Sequence, residues 1–141
     1  MLKWFGVRSI YKLRALGKPK KIDKDYNPDV FLFEDRVVLF RAKDFDSAIR
    51  KAKKEAKCYV SDTFINVYTQ KVITTQIGVF DAFEIFEIPG HGKEVYSMTR
   101  LIKRRLTNKQ AEDLFFDKKE NTRKHRLRKN FSNKSYNAWI K

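Results

Sequence analysis

Few side chains here could carry acid–base or nucleophilic chemistry: His91, His125, Cys58 and the carboxylates Glu34-Asp35 and Glu84/Glu87. Such work needs groups that converge on one spot, with a base in reach of the proton it moves. His91 stands in the turn sequence Pro89-Gly90-His91-Gly92 and His125 among arginines and lysines, and the sequence fixes a partner for neither. Glu84 and Glu87 are three apart, so on a strand they face opposite sides; the adjacent Glu34 and Asp35 do the same. Cys58, between Lys57 and Tyr59, reads as a small filler near a helix end rather than a nucleophile. No Walker loop, GxGxxG, HExxH or GxSxG occurs. The expectation is a non-enzyme with no cofactor, no metal site and no small-molecule substrate.

The cations suggest a different chemistry. Of the net +15, residues 1–24 carry eight Lys/Arg against one acid and residues 97–141 carry fourteen against four. The 72 residues between hold ten basic and twelve acidic side chains, so the middle is nearly neutral. Charge piled at two flanks repels itself and is useful only against a polyanion. At the N-terminal flank Arg8, Lys12 and Arg14 alternate along one segment, followed by Lys18, Lys20 and Lys21. At the other end Lys103-Arg104-Arg105 precede an acid-free stretch, 121–141, with Arg123, Lys124, Arg126, Arg128 and Lys129. Phe131, Tyr136 and Trp139 are spaced among those cations. Lys and Arg neutralise phosphates and release counterions, while aromatic rings stack on unpaired bases. These seventeen residues are the candidate nucleic-acid-binding set. The Arg50/Lys51/Lys53/Lys54/Lys57 cluster is instead read as a solvated helix surface.

The elements that position them follow from periodicity. Residues 3–16 alternate, with Phe5, Val7, Tyr11, Leu13 and Ala15 on one face and Arg8, Lys12 and Arg14 beside Trp4 and Ile10 on the other, a half-buried strand with a cationic outer side. Ser9 is the one polar interruption of the apolar face. A long polar loop, 17–29, leads to a second strand, Val30 to Ala42, whose apolar richness predicts a more central place in the sheet. Asp44 reads as the N-cap of a helix to about Val60, with Phe45, Ala48, Ile49, Ala52, Ala56 and Tyr59 on its buried face. Residues 63–69 form a short strand or loop, 71–88 a long strand or bent pair, and Glu94 to about Lys103 a further strand after the glycine turn. Thr107 to Gln110 is a capping-box pattern that predicts a second helix over about 108–120. The tail shows no periodicity that would bury it, and by composition it lacks fixed structure on its own. The predicted fold is α+β: a small antiparallel sheet with one packed helix (β-β-α-β-β), a C-terminal helix and a basic extension. The divisions fall at 1–105, 106–120 and 121–141.

Three local patterns resemble a bacterial family, the domain-of-unknown-function family 4288. They are Trp4-Phe5-Gly6-Val7, Phe33-Glu34-Asp35-Arg36-Val37-Val38-Leu39-Phe40-Arg41-Ala42, and Gly92-Lys93-Glu94-Val95-Tyr96-Ser97. The resemblance covers about residues 3–100. It implies a compact β-β-α-β-β domain and supplies no activity and no catalytic residues. Small bacterial families of this kind include immunity proteins found beside secreted toxins.

Composition narrows the class further. No apolar run approaches the ~20 residues of a bilayer-spanning helix, and the basic tail lacks the apolar face of a membrane-surface helix. The opening Met1–Arg8 is not read as a secretory signal, because Arg8, Lys12 and Arg14 interrupt its apolar stretch. It is not read as a mitochondrial transit peptide either, since Trp4, Phe5, Val7 and Tyr11 fit a strand. One cysteine excludes an intramolecular disulfide and fits a reducing cytosol. The first functional expectation is an RNA-binding protein, a ribosome component or ribosome-associated factor. The alternative is an immunity protein that neutralises a bacterial toxin by direct protein contact. DNA is less favoured, because no helix-turn-helix or zinc signature is present.

Overall fold

The computed structural model describes residues 1–115 and 133–138. The chain divides into two compact units, residues 1–97 together with the chain from Lys134 onward, and residues 98–133. In the first unit β1 (Lys3–Leu16), β2 (Leu32–Ala42), α1 (Phe45–Ser61), β3 (Phe64–Ile65) and β4 (Lys71–Ile85) follow in chain order. The sheet is antiparallel, in the order β2-β1-β4-β3. The α+β class and the β-β-α-β-β order match expectation.

Helix α1 begins where its sequence dictates. The Asp44 carboxylate accepts the Ser47 N–H at 2.7 Å, satisfying one of the orphan donors of the first turn. Ala48, Ala52 and Ala56 then fall at four-residue spacing and are buried against the sheet. Small side chains there let the helix approach closely. The core forms between Ala48 and Ala52 and Phe5, Val7 and Ala42, with Phe40, Phe80 and Ala82 at its margin. Each fully buried Phe or Val contributes about 1.5–3 kcal/mol. Farther along β1, Tyr11 is buried and meets Tyr59 of α1 edge-to-face at 4.9 Å.

Ser9, the polar break in the apolar face of β1, has a partner. Its Oγ accepts from Gln76 Nε2 at 2.8 Å, where the β1–β4 register shifts between Arg8 and Ile10. Gly78, at φ +71°, supplies the left-handed residue of that bulge.

Gly6 is explained by contact rather than conformation. The Phe83 ring lies over it, and a Cβ there would come within 2.4 Å of ring carbons. Gly6→Ala gains about 0.5–1 kcal/mol of strand entropy. The clash costs more, about 1–3 kcal/mol. A net loss of stability is the expected outcome. Phe83→Leu should relieve part of it, so a denaturation double-mutant cycle at these two positions should be non-additive.

Three expectations need correction. β2 is an edge strand, and β1 and β4 are the central ones. The run Val37-Val38-Leu39-Phe40 reads as doubly buried, but Val37 and Leu39 are exposed on a sheet face that α1 does not cover. Residues 94–103 form no strand. Lys93 N–H closes a turn on the Gly90 carbonyl, and the Glu87 carboxylate takes the Glu94 N–H that a ladder would have used. Last, the tail is not devoid of burial, since Ser135 and Tyr136 are buried within the first unit.

In the second unit α2 (Asn108–Phe115) starts at the expected capping box. Thr107 Oγ1 accepts the Gln110 N–H at 3.2 Å, and Gln110 Oε1 accepts the Thr107 N–H at 2.9 Å. Residues 116–120, the expected remainder of that helix, lie outside the described residues.

Candidate nucleic-acid interface

Pleating sends alternate residues of each strand to opposite sides, so the sheet has one face under α1 and one that looks away from it. Paired residues share a side. The register therefore places Trp4 beside Arg41, Gly6 beside Leu39, Arg8 beside Val37, Ile10 beside Asp35, and Lys12 beside Phe33 on the open face. Phe33 is 55% exposed, Phe31 53%, Val37 44% and Leu39 37%, while Trp4, Ile10, Lys12 and Arg14 are half-buried.

The cations on this face are not equivalent. Arg8 donates to Asp35 through Nε at 2.8 Å and Nη2 at 2.6 Å, a two-pronged pair that offsets its charge and raises its pKa above the ordinary arginine value. Lys12 and Arg14 carry no ion pair among the described residues. The Lys12 ammonium sits 4.2 Å from the Phe31 ring centre and 5.7 Å from that of Phe33. At the far end of the face, the Arg41 guanidinium lies 5.8 Å from the Trp4 ring. Aromatic residues thus stand beside cations at both ends of the β1–β2 ribbon. The cationic outer side of β1 expected from alternation is present, with Arg8 spent on an internal partner.

On the covered side, a network fixes α1 to β2. Arg36 grips Glu55 through Nη1 at 2.8 Å and Nη2 at 2.6 Å, and its guanidinium stacks 3.7 Å from the Tyr59 ring centre. The Tyr59 hydroxyl donates to Glu34 at 2.5 Å, and burial, then that bond, push its pKa up to about 12. Arg36, Glu55 and Tyr59 are therefore structural. Glu34 and Asp35 do point to opposite sides, each with its own partner.

The 17–29 loop presents Lys18, Lys20 and Lys21 exposed, none in an ion pair among the described residues. Asp23 and Asp25 in the same loop bind the returning chain. Lys134 Nζ bridges them at 2.8 and 2.9 Å, and Tyr68 donates its hydroxyl to Asp23 at 2.9 Å. The Lys134 ammonium, then the Tyr68 hydroxyl, hold the Asp23 carboxyl down at about 2. The Asn66 amide donates to the Ser135 carbonyl at 3.0 Å, and the Tyr136 hydroxyl donates to the Val30 carbonyl at 2.9 Å.

Tyr136, expected to stack on bases, is only 8% exposed and packs into the domain instead. No periodicity around Tyr136 reveals this, because a burial of two residues leaves none. In the second unit Lys103, Arg104 and Arg105 are exposed together in the turn before α2. Arg123, Lys124, Arg126, Arg128, Lys129, Phe131 and Trp139 lie outside the described residues.

Among the described residues the groups weighed for catalysis do not converge, and His125 lies outside them. Glu84 pairs with Lys3 and Glu87 with Lys93, Cys58 is exposed near the end of α1, and His91 is exposed in its turn. Among the described residues no three of His, Cys, Asp and Glu gather as a metal site, and no helix is long and apolar enough to cross a membrane.

One family model, described as "Domain of unknown function (DUF4288)", matches residues 4–97. The match ends at the residue where the first segment of the first unit ends, so the 134–138 fastening is an addition to the matched domain. The chain matches no curated protein and no solved structure.

Proposed function

The chain belongs to the domain-of-unknown-function family DUF4288, a membership that assigns no activity, and we propose that it is a non-enzymatic RNA-binding protein of the cytosol, associated with ribosomal RNA. The observation that carries this reading is the run of cations Lys12, Arg14, Lys18, Lys20 and Lys21, which lie along β1 and its loop with no internal ion pair among the described residues. Carboxylates of the domain are instead committed elsewhere, Asp35 to Arg8, Glu55 to Arg36, Asp23 and Asp25 to Lys134. A protein that neutralises some of its cations and leaves a contiguous set unpaired is suited to a phosphate backbone. Lys103, Arg104 and Arg105 supply a second exposed cluster, and the 121–141 stretch adds six more cations besides Lys134.

The exposed Phe33, Val37 and Leu39 favour a second reading, a protein partner such as a toxin neutralised by contact, because apolar surface of this kind also marks protein interfaces. Purifying the tagged protein from native cells with and without nuclease separates the two. Ribosomal RNA that co-purifies and is lost on nuclease treatment is the expected result. One protein retained after nuclease treatment, with no RNA, overturns it.

A further inference from the structure

We infer that the open face of the sheet is a docking surface for unpaired RNA, with Trp4 and Phe33 stacking on bases and Lys12, Arg14 and Arg41 receiving phosphates. This rests on the RNA-binding reading and says which part of an RNA the domain recognises.

Three observations carry it. First, α1 packs on one side only, and Phe33, Val37 and Leu39 on the other side are exposed, Phe33 by more than half, with Trp4 and Ile10 half-buried beside them. Hydration of exposed apolar side chains is unfavourable, and apolar surface of this kind, here interrupted by the Arg8–Asp35 pair, marks a surface that is covered in use.

Second, the face is cationic where it is aromatic. Its acids are Asp35, held by Arg8, and Asp81, which the register places beside Arg8. Lys12, Arg14 and Arg41 carry no ion pair among the described residues. That charge complements a phosphate backbone and repels a second copy of a chain with net +15.

Third, the spacing suits a single strand. Trp4 and Lys12 are eight residues apart on β1, about 27 Å at strand rise. That is room for roughly four nucleotides, the lower end of single-strand site sizes on β platforms. A duplex fits poorly. Its bases are stacked on one another inside, and its deep, narrow major groove does not admit side chains from a flat sheet.

The test uses the full chain with Trp139→Phe, which leaves Trp4 as the sole tryptophan of two. The probes are an oligouridine of about twelve nucleotides and an RNA duplex of equal length. Stacking should quench Trp4 fluorescence with oligouridine and not with duplex. Phe33→Ala, at an exposed site where folding is not at stake, should weaken oligouridine binding by about 5- to 150-fold with an unchanged salt slope. Lys12→Gln should lower that slope instead.

Equal binding of both probes with no change in Trp4 emission overturns the inference and leaves the RNA-binding reading standing. Binding of neither probe overturns both. Phe33→Ala that leaves oligouridine binding intact but abolishes co-purification of a protein from native cells overturns the inference in favour of a protein interface.

Discussion

Deleting residues 133–141 is expected to lower the melting temperature of the domain by roughly 8–15 °C, a loss of about 2–4 kcal/mol that comes mainly from Tyr136. This ring is buried, and its hydroxyl donates to the Val30 carbonyl. Removing it leaves a cavity and an unpaired carbonyl in the 17–31 region. Tyr136→Ala in the full chain should reproduce most of the loss. Tyr136→Phe keeps the ring and forfeits one neutral hydrogen bond, about 0.5–1.5 kcal/mol.

Lys134 adds a pH dependence. Its partner Asp23 has a folded pKa of about 2 against an ordinary 3.8. A depressed carboxylate stabilises the fold above its unfolded pKa, and that contribution is lost as pH falls through the folded value. The difference in melting temperature between Lys134→Met and the parent should therefore be constant near neutrality and shrink between about pH 4 and pH 2. Identical melting of the deletion and the full chain would show that the fastening contributes nothing to stability.

How far the fold could be read in advance depended on whether a signal was local. Helix α1 was legible because Asp44 and the Ala48, Ala52, Ala56 spacing sit within one segment. The capping box of α2 was legible for the same reason. The rank of β2 in the sheet was not, because Val37 and Leu39 are apolar on a face that stays open, and apolar richness alone reads as burial. Arg8 was legible as facing outward, but its pairing with Asp35 depends on a β1–β2 register that joins residues 27 apart. Tyr136 lies 106 positions from its acceptor and repeats no pattern, so nothing near it in sequence signals an anchor. One clue was present in Asp23 and Asp25, two of the three carboxylates in a lysine-rich loop, which call for a cation from elsewhere. Arg41, Phe31 and Phe33 were missed at the interface because β2 was read as interior.

Affinity for single-stranded RNA is expected to fall between a few hundred-fold and about ten-thousand-fold when salt rises from about 50 to about 200 mM. The reasoning is counterion release. If about six to ten phosphates are neutralised, log K should drop against log salt with a slope of roughly −4 to −7 on single strands. The geometry predicts which residues carry that slope. Arg14→Gln removes a cation with no ion pair among the described residues, so it should reduce the slope by about 0.7. Arg8→Gln combined with Asp35→Asn removes a pair whose charges already offset each other, and should change the slope little despite deleting an arginine from the same strand. Exposed pairs of this kind contribute little to stability, roughly 0–1 kcal/mol, so the double variant should remain folded and the comparison interpretable. Lys18→Gln and Lys20→Gln, on the exposed loop, should each behave as Arg14→Gln does. If the Arg8/Asp35 double variant lowers the slope as much as Arg14→Gln, Arg8 leaves Asp35 to meet phosphate, and the division between committed and available cations does not hold. A flat salt response across all variants would mean that the cations of β1 and its loop meet no phosphates at all.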